Sequence, residues 1–70
     1  MYVIVETDIH GEMPESKNDR CYLNHAYLSK MHFGSLDMAW HTDSALEAEG
    51  MASRMHLDQK LYRHHAIIEI

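Results

Sequence analysis

Seventy residues, with six Lys and Arg against eleven Asp and Glu, carry a formal charge of -5 when the histidines are neutral. That length makes one domain, residues 1–70, with one modest core, and 46% hydrophobic with 24% charged residues is a globular rather than a disordered composition. The acidic balance argues against a phosphate-tracking nucleic-acid binder, and the single Cys21 excludes an internal disulfide or a paired-cysteine zinc knuckle.

Met1 to Ile9 alternate, with Met1, Val3, Val5, Thr7 and Ile9 on one face and Tyr2, Ile4, Glu6 and Asp8 on the other. This is the pattern of a strand. Gly11 and Pro14 punctuate the polar stretch GEMPESKNDR, residues 11–20, which reads as a loop inside the domain because patterned apolar segments flank it. A second β-like run, residues 20–28, carries Tyr22, Leu23, Tyr27 and Leu28. Residues 29–36 declare only a turn at Gly34, and residues 37–41 suit a short extra strand.

The helix has the clearest signal. Thr42, Asp43 and Ser44 are capping residues, and Ser44 followed three positions later by Glu47 matches a capping box, in which each side chain satisfies the other's backbone N–H. Helix formers then run to about residue 56. At about 100° per residue, Ala45, Ala48, Met51, Ala52 and Met55 share one arc and are expected to face a sheet, with the small alanines allowing close approach. Leu46, Gly50, Ser53 and Leu57 form a narrower stripe on the opposite side. Either Leu46 and Leu57 pack on loops, or the glycine lets another protein or a second copy of this one approach.

The chain closes with LYRHHAIIEI, in which Tyr62, His64, Ala66, Ile68 and Ile70 alternate with Arg63, His65, Ile67 and Glu69. The expected fold is α+β, β-β-α-β, with a small antiparallel three-stranded sheet of order 2-1-3 and one helix on one face. The right-handed crossover through the helix suits that order. The face carrying Tyr2, Ile4 and Ile67 is then expected to be uncovered, which makes it a candidate second interface.

No catalytic set emerges from the chemistry-bearing residues. The stretch YVIVETDIHGE resembles the first strand and ligand loop of the calcineurin-like metallophosphoesterases, which would give Asp8 and His10 to a metal. That chemistry needs two metals clamped by several loops, and the chain has neither the Gly-Asp-x-x-Asp nor the Gly-Asn-His segment. Asp8 and His10 are better read as the polar end of the strand, with Asp8 bonding the backbone of a turn at Gly11. His64 and His65 are adjacent on a strand and point to opposite faces, and the spacing of His10, Glu12, His25, His32 and His41 shows no metal-binding pattern. Neither metal nor cofactor is expected. Cys21 lacks the helix N-terminus that would activate it and is expected to be a buried structural thiol.

Tyr2-Val3-Ile4, Tyr22-Leu23, residues 39–43 (AWHTD), Ala45-Leu46-Glu47-Ala48 and residues 67–70 (IIEI) together span most of the chain. In that order they resemble the small accessory proteins of bacteriophages and other mobile elements. The resemblance implies a non-enzymatic protein that binds a host nucleic-acid enzyme, such as an RNA polymerase, a nuclease or a CRISPR surveillance complex, and blocks it. The residues expected to touch such a partner are Leu46, Glu47, Glu49, Gly50, Leu57 and Trp40. Their acidic neighbours would meet a basic surface. Trp40 reads first as a core or rim anchor and, where exposed, as a hot spot. The expected setting is the cytoplasm, without direct nucleic-acid or membrane contact. A homo-oligomeric structural or regulatory protein pairing through its open sheet is the alternative, and a histidine-rich metal binder a further one.

Overall fold

The computed structural model describes residues 1–24, 33–57 and 64–70, with the backbone alone for 55–57. The expected strand positions Tyr27 and Leu28, and His25, His32, Tyr62 and Arg63, lie outside the described residues.

The centre of the fold is β1 (Tyr2–Glu6). Its partner along one edge is β4 (His65–Glu69), antiparallel, in an unbroken register from Tyr2 opposite Glu69 to Glu6 opposite His65. On its other edge lies β2 (Tyr22–Leu23), with Val5 opposite Tyr22, and β3 (Phe33–Gly34) pairs antiparallel with β2. The sheet order is β3-β2-β1-β4. The first, second and last strands therefore neighbour one another as the sequence pattern suggests, but among the described residues the sheet has four strands rather than three.

The additional strand falls where the sequence marks only a turn. Its described part, Phe33–Gly34, is too short to show a period. Gly34 serves there for close approach rather than for turning, because a Cβ on it would lie 2.8 Å from Nδ2 of Asn24. The strand expected over residues 37–41 is replaced by a 3-10 turn at Leu36–Met38 and two isolated bridges, Asn24 with Ala39 and Tyr2 with Thr42. Thr42 and Tyr2 exchange both backbone hydrogen bonds, at 2.7 and 3.1 Å, and the Trp40 N–H donates to the Leu23 carbonyl at 2.7 Å. This segment thus completes the edge of β1 that the short β2 leaves unpaired.

The helix α1 (Ala45–Leu57) packs across the sheet. Ala48 is fully buried and Ala52 nearly so, while Ala45 is exposed. The side that α1 covers corrects the expectation from sequence. Ile4, Leu23 and Ala52 form one buried cluster with Phe33, Trp40, Met51 and Ile67 against it, so the helix lies on the face of Ile4 and Ile67. The face proposed as an open interface, with Tyr2, Ile4 and Ile67, is the covered one, and Ile4 is 0% exposed. Alternation separates the two faces correctly, but both are apolar on β1, so the pattern cannot say which receives the helix. Ile4, Leu23 and Ile67 are bulky and fill the space that Ala48 and Ala52 leave.

The opposite face is closed by loops. Val3, Val5, Tyr22 and Ala39 form its buried cluster, with Met13, Leu36, Ile68 and Ile70 packed around them. Residues 11–20 fold back over this side and are braced internally. The Arg20 guanidinium donates to the Pro14 carbonyl at 2.6 Å and to the Glu15 carbonyl at 3.1 Å. The Tyr22 hydroxyl donates to the Lys17 carbonyl at 3.0 Å, next to a 3-10 turn at Lys17–Asp19. Cys21 is exposed, not buried as expected, because the buried Tyr22 and Leu23 take the two inward positions of β2.

Truncating a buried aliphatic side chain removes its transfer free energy and leaves a cavity. Ile4→Ala should lower stability by about 2–5 kcal/mol, a large share of what a small domain has. Leu46→Ala, at a position 78% exposed, should change it by less than about 0.5 kcal/mol. Urea denaturation of the two variants measures both, and equal losses would contradict the assignment of the faces.

Candidate functional site

The start of α1 is fixed by two hydroxyls. Ser44 Oγ accepts the Glu47 N–H at 3.2 Å, half of the expected capping box. The reciprocal half differs, because the Ser44 N–H donates to Thr42 Oγ1 at 3.1 Å rather than to Glu47. Thr42 is a buried polar residue, and its backbone is already bonded to Tyr2. The helix is thereby tied to the central strand through one residue, and the Glu47 side chain is released from capping.

The outward face of α1 follows from that anchoring. Successive residues turn by about 100°, so Leu46, Gly50 and Ser53 lie within a narrow band opposite Ala48 and Ala52. Glu47 and Glu49 stand on either side of the band. All five are exposed. A Cβ on Gly50 would meet nothing within 4 Å. The result is a strip of apolar and small residues between acidic side chains. The side chain of Leu57, expected to extend the strip, lies outside the described residues. Trp40 does not join it. Half-buried, it packs on the sheet side of the helix against the cluster of Ile4, Leu23 and Ala52.

A groove of about 270 Å³ opens on the other sheet face, lined by Met1, Val3, Leu36, Ala39 and Ile70, with Asp37 and His41 also lining it. It lies below the roughly 300–1,000 Å³ of typical small-molecule sites. Sequence reasoning missed it because it depends on the 3-10 turn placing Leu36 over Val3. The only sequence signal is the apolar character of residues 36–40, LDMAW.

The Asp-x-His segment is a backbone device. Oδ1 of Asp8 accepts the N–H of His10 at 2.8 Å and of Glu12 at 2.9 Å, and the Asp8 carbonyl accepts the Gly11 N–H at 3.1 Å. Gly11 has φ of 80°. A carboxylate closing a turn through a left-handed glycine is the role expected for Asp8 from the sequence. Among the described residues no three His, Cys, Asp or Glu side chains gather in a metal-holding group. Nor is any described helix long and apolar enough to cross a membrane.

No family model matches the chain, and no curated protein or solved structure matches it.

The two glycines yield opposite expectations for one substitution. Gly50→Ala adds a Cβ in open space within a helix and should stabilise by about 1 kcal/mol. Gly11→Ala forces a Cβ into the left-handed region and should destabilise by about 1–2 kcal/mol. Thermal unfolding followed by circular dichroism should show the midpoints moving in opposite directions.

Proposed function

We propose that the protein is a non-enzymatic binding module that inhibits or modulates a larger partner with a basic surface. The partner class best suited to it is a nucleic-acid enzyme of a bacterial host, with the protein itself encoded by a phage or other mobile element and acting in the cytoplasm. The observation that carries this reading is the outward strip of α1, where Leu46 stands 78% exposed beside Glu47, Glu49 and Gly50. Burying a large apolar side chain that stands in water between carboxylates is favourable against a partner that supplies cations around an apolar contact. The net charge of -5 supports the same choice of partner, since it favours encounter with basic grooves. The resemblance of the ordered sequence pieces to mobile-element accessory proteins agrees with it.

The function requires only a fixed surface. Thr42 and Ser44 fix the helix end, and Ala48 and Ala52 hold its inner face on Ile4 and Leu23, so the strip is presented on a rigid support. Binding then orders only the surface side chains. The acidic residues set encounter rate and salt sensitivity, and Leu46 beside Gly50 supplies the close contact.

The test is affinity capture from a bacterial lysate, followed by assay of the captured protein. The wild-type chain should retain a nucleic-acid enzyme and depress its activity on titration. Gly50→Trp, and separately Glu47→Lys with Glu49→Lys, should weaken capture at least about tenfold, the equivalent of 1.4 kcal/mol, while the circular dichroism spectrum is unchanged. Retention of an enzyme whose activity does not fall, or capture insensitive to both variants, would refute the reading.

A further inference from the structure

The Ser44–Glu47 capping box that the sequence pattern predicts is only half built, and the missing half is the one that would use the Glu47 carboxylate. In a complete box that carboxylate reaches back to the backbone N–H of the capping residue. Here the Ser44 N–H donates instead to Thr42 Oγ1, at 3.1 Å. A backbone N–H has one hydrogen to give, so Thr42 and Glu47 compete for it. Among the described residues the Glu47 carboxylate has no partner, and the residue stands exposed beside Leu46.

The competition is decided by which acceptor is already in place. The Thr42 backbone exchanges two hydrogen bonds with Tyr2, at 2.7 and 3.1 Å, and the residue is 8% exposed. Branching at Cβ leaves its side chain few rotamers. Its hydroxyl therefore meets the Ser44 N–H, two residues along the chain, without further ordering. Glu47 would have to freeze a long, flexible side chain to make the same bond, at a cost in conformational entropy. The bridge between Tyr2 and Thr42 thus chooses the acceptor, and the central strand reaches through it to the surface of α1.

We propose, resting on the partner reading above, that Thr42 is a positioning residue for the outward strip: by holding the Ser44 N–H it keeps the Glu47 carboxylate out of the cap and available to a cation on the partner. Without the Thr42 hydroxyl, Glu47 turns back to Ser44, and the strip loses one of the two carboxylates that flank Leu46 and Gly50. Glu49 takes no part in the box and keeps its place. A nearly buried residue that never touches the partner then governs the charge the partner meets.

Thermal unfolding of a double-mutant cycle tests the competition in the free protein. Glu47→Ala alone should move the midpoint by less than about 2 °C. In the Thr42→Val background, where the side chain keeps its shape and loses its oxygen, the same change should lower the midpoint by about 4–8 °C, because Glu47 has become part of the cap. Thr42→Ala, which also lacks the oxygen, should show the same coupling, and Thr42→Ser, which keeps a hydroxyl, should behave as the wild type. By NMR, the Glu47 χ1 couplings should pass from averaged values in the wild type to those of one rotamer in Thr42→Val. Binding to the enzyme captured by the wild-type chain tests the role. Thr42→Val should weaken it about threefold, the scale of one exposed ion pair. Thr42→Ser should leave it unchanged, and adding Glu47→Ala to Thr42→Val should weaken it no further. An additive effect of Glu47→Ala on the midpoint would overturn the proposal, and so would binding weakened by Glu47→Ala but not by Thr42→Val. Failure of the partner reading looks different: capture is then indifferent to Glu47→Lys with Glu49→Lys, and the binding role of Thr42 falls with it whatever the midpoints show.

Discussion

The fold depends on a single strand being enclosed on every side. Val3, Ile4 and Val5 are 1%, 0% and 0% exposed, although they are consecutive residues whose side chains point alternately to opposite faces. Both faces of β1 therefore need a cover, and both of its edges need a partner. The helix covers one face, and Met13, Leu36, Ala39 and Tyr22 cover the other. The edges are taken by β4 on one side and by β2 with the Tyr2–Thr42 bridge on the other. A chain of this size reaches such enclosure by spending its loops as structural material.

That economy explains what could be read in advance. The faces of β1, the inward side of α1 at Ala48 and Ala52, and the bond of the Glu47 N–H to Ser44 are periodic or local signals that appear in the structure where the pattern puts them, whereas Ala45 lies exposed and the return half of the capping box is taken by Thr42. The side on which α1 docks was not legible, because Val3 and Val5 are as apolar as Ile4 and nothing local distinguishes them. A continuous apolar run such as YVIV is the mark of a strand buried on both faces, so the signal for a second cover was present even though its identity was not. That cover is made from one methionine in a polar loop and a 3-10 turn, and neither has a period. Trp40 illustrates the limit for the site. Its type suits an exposed contact equally well, and the structure instead packs it against Ile4, Leu23 and Ala52, with its backbone N–H bonded to the Leu23 carbonyl.

With the interior occupied, the binding role we propose falls to what remains outside. The strip from Leu46 to Ser53 on α1 has side-chain character and charge, which suits a partner that differs from this chain. It does not need the apolar groove beside Leu36 and Ile70, whose lining is continuous with the core cluster of Val3 and Ala39.

The pairing of β1 with β4 has a consequence for how the protein is made. Tyr2 is synthesised long before Glu69, its partner across the ladder. Until β4 leaves the ribosome, the central strand has one unsatisfied edge, and the helix has only part of the surface it rests on. Contacts so distant in sequence close slowly compared with local ones. Until that pairing forms, the nascent chain holds an apolar β-strand with one open edge, the kind of exposed segment that chaperones bind and that aggregation starts from. A polar, internally braced loop beside that strand, held by Arg20 and Asp8 through contacts within six residues, can form early and shield one side of it during the wait.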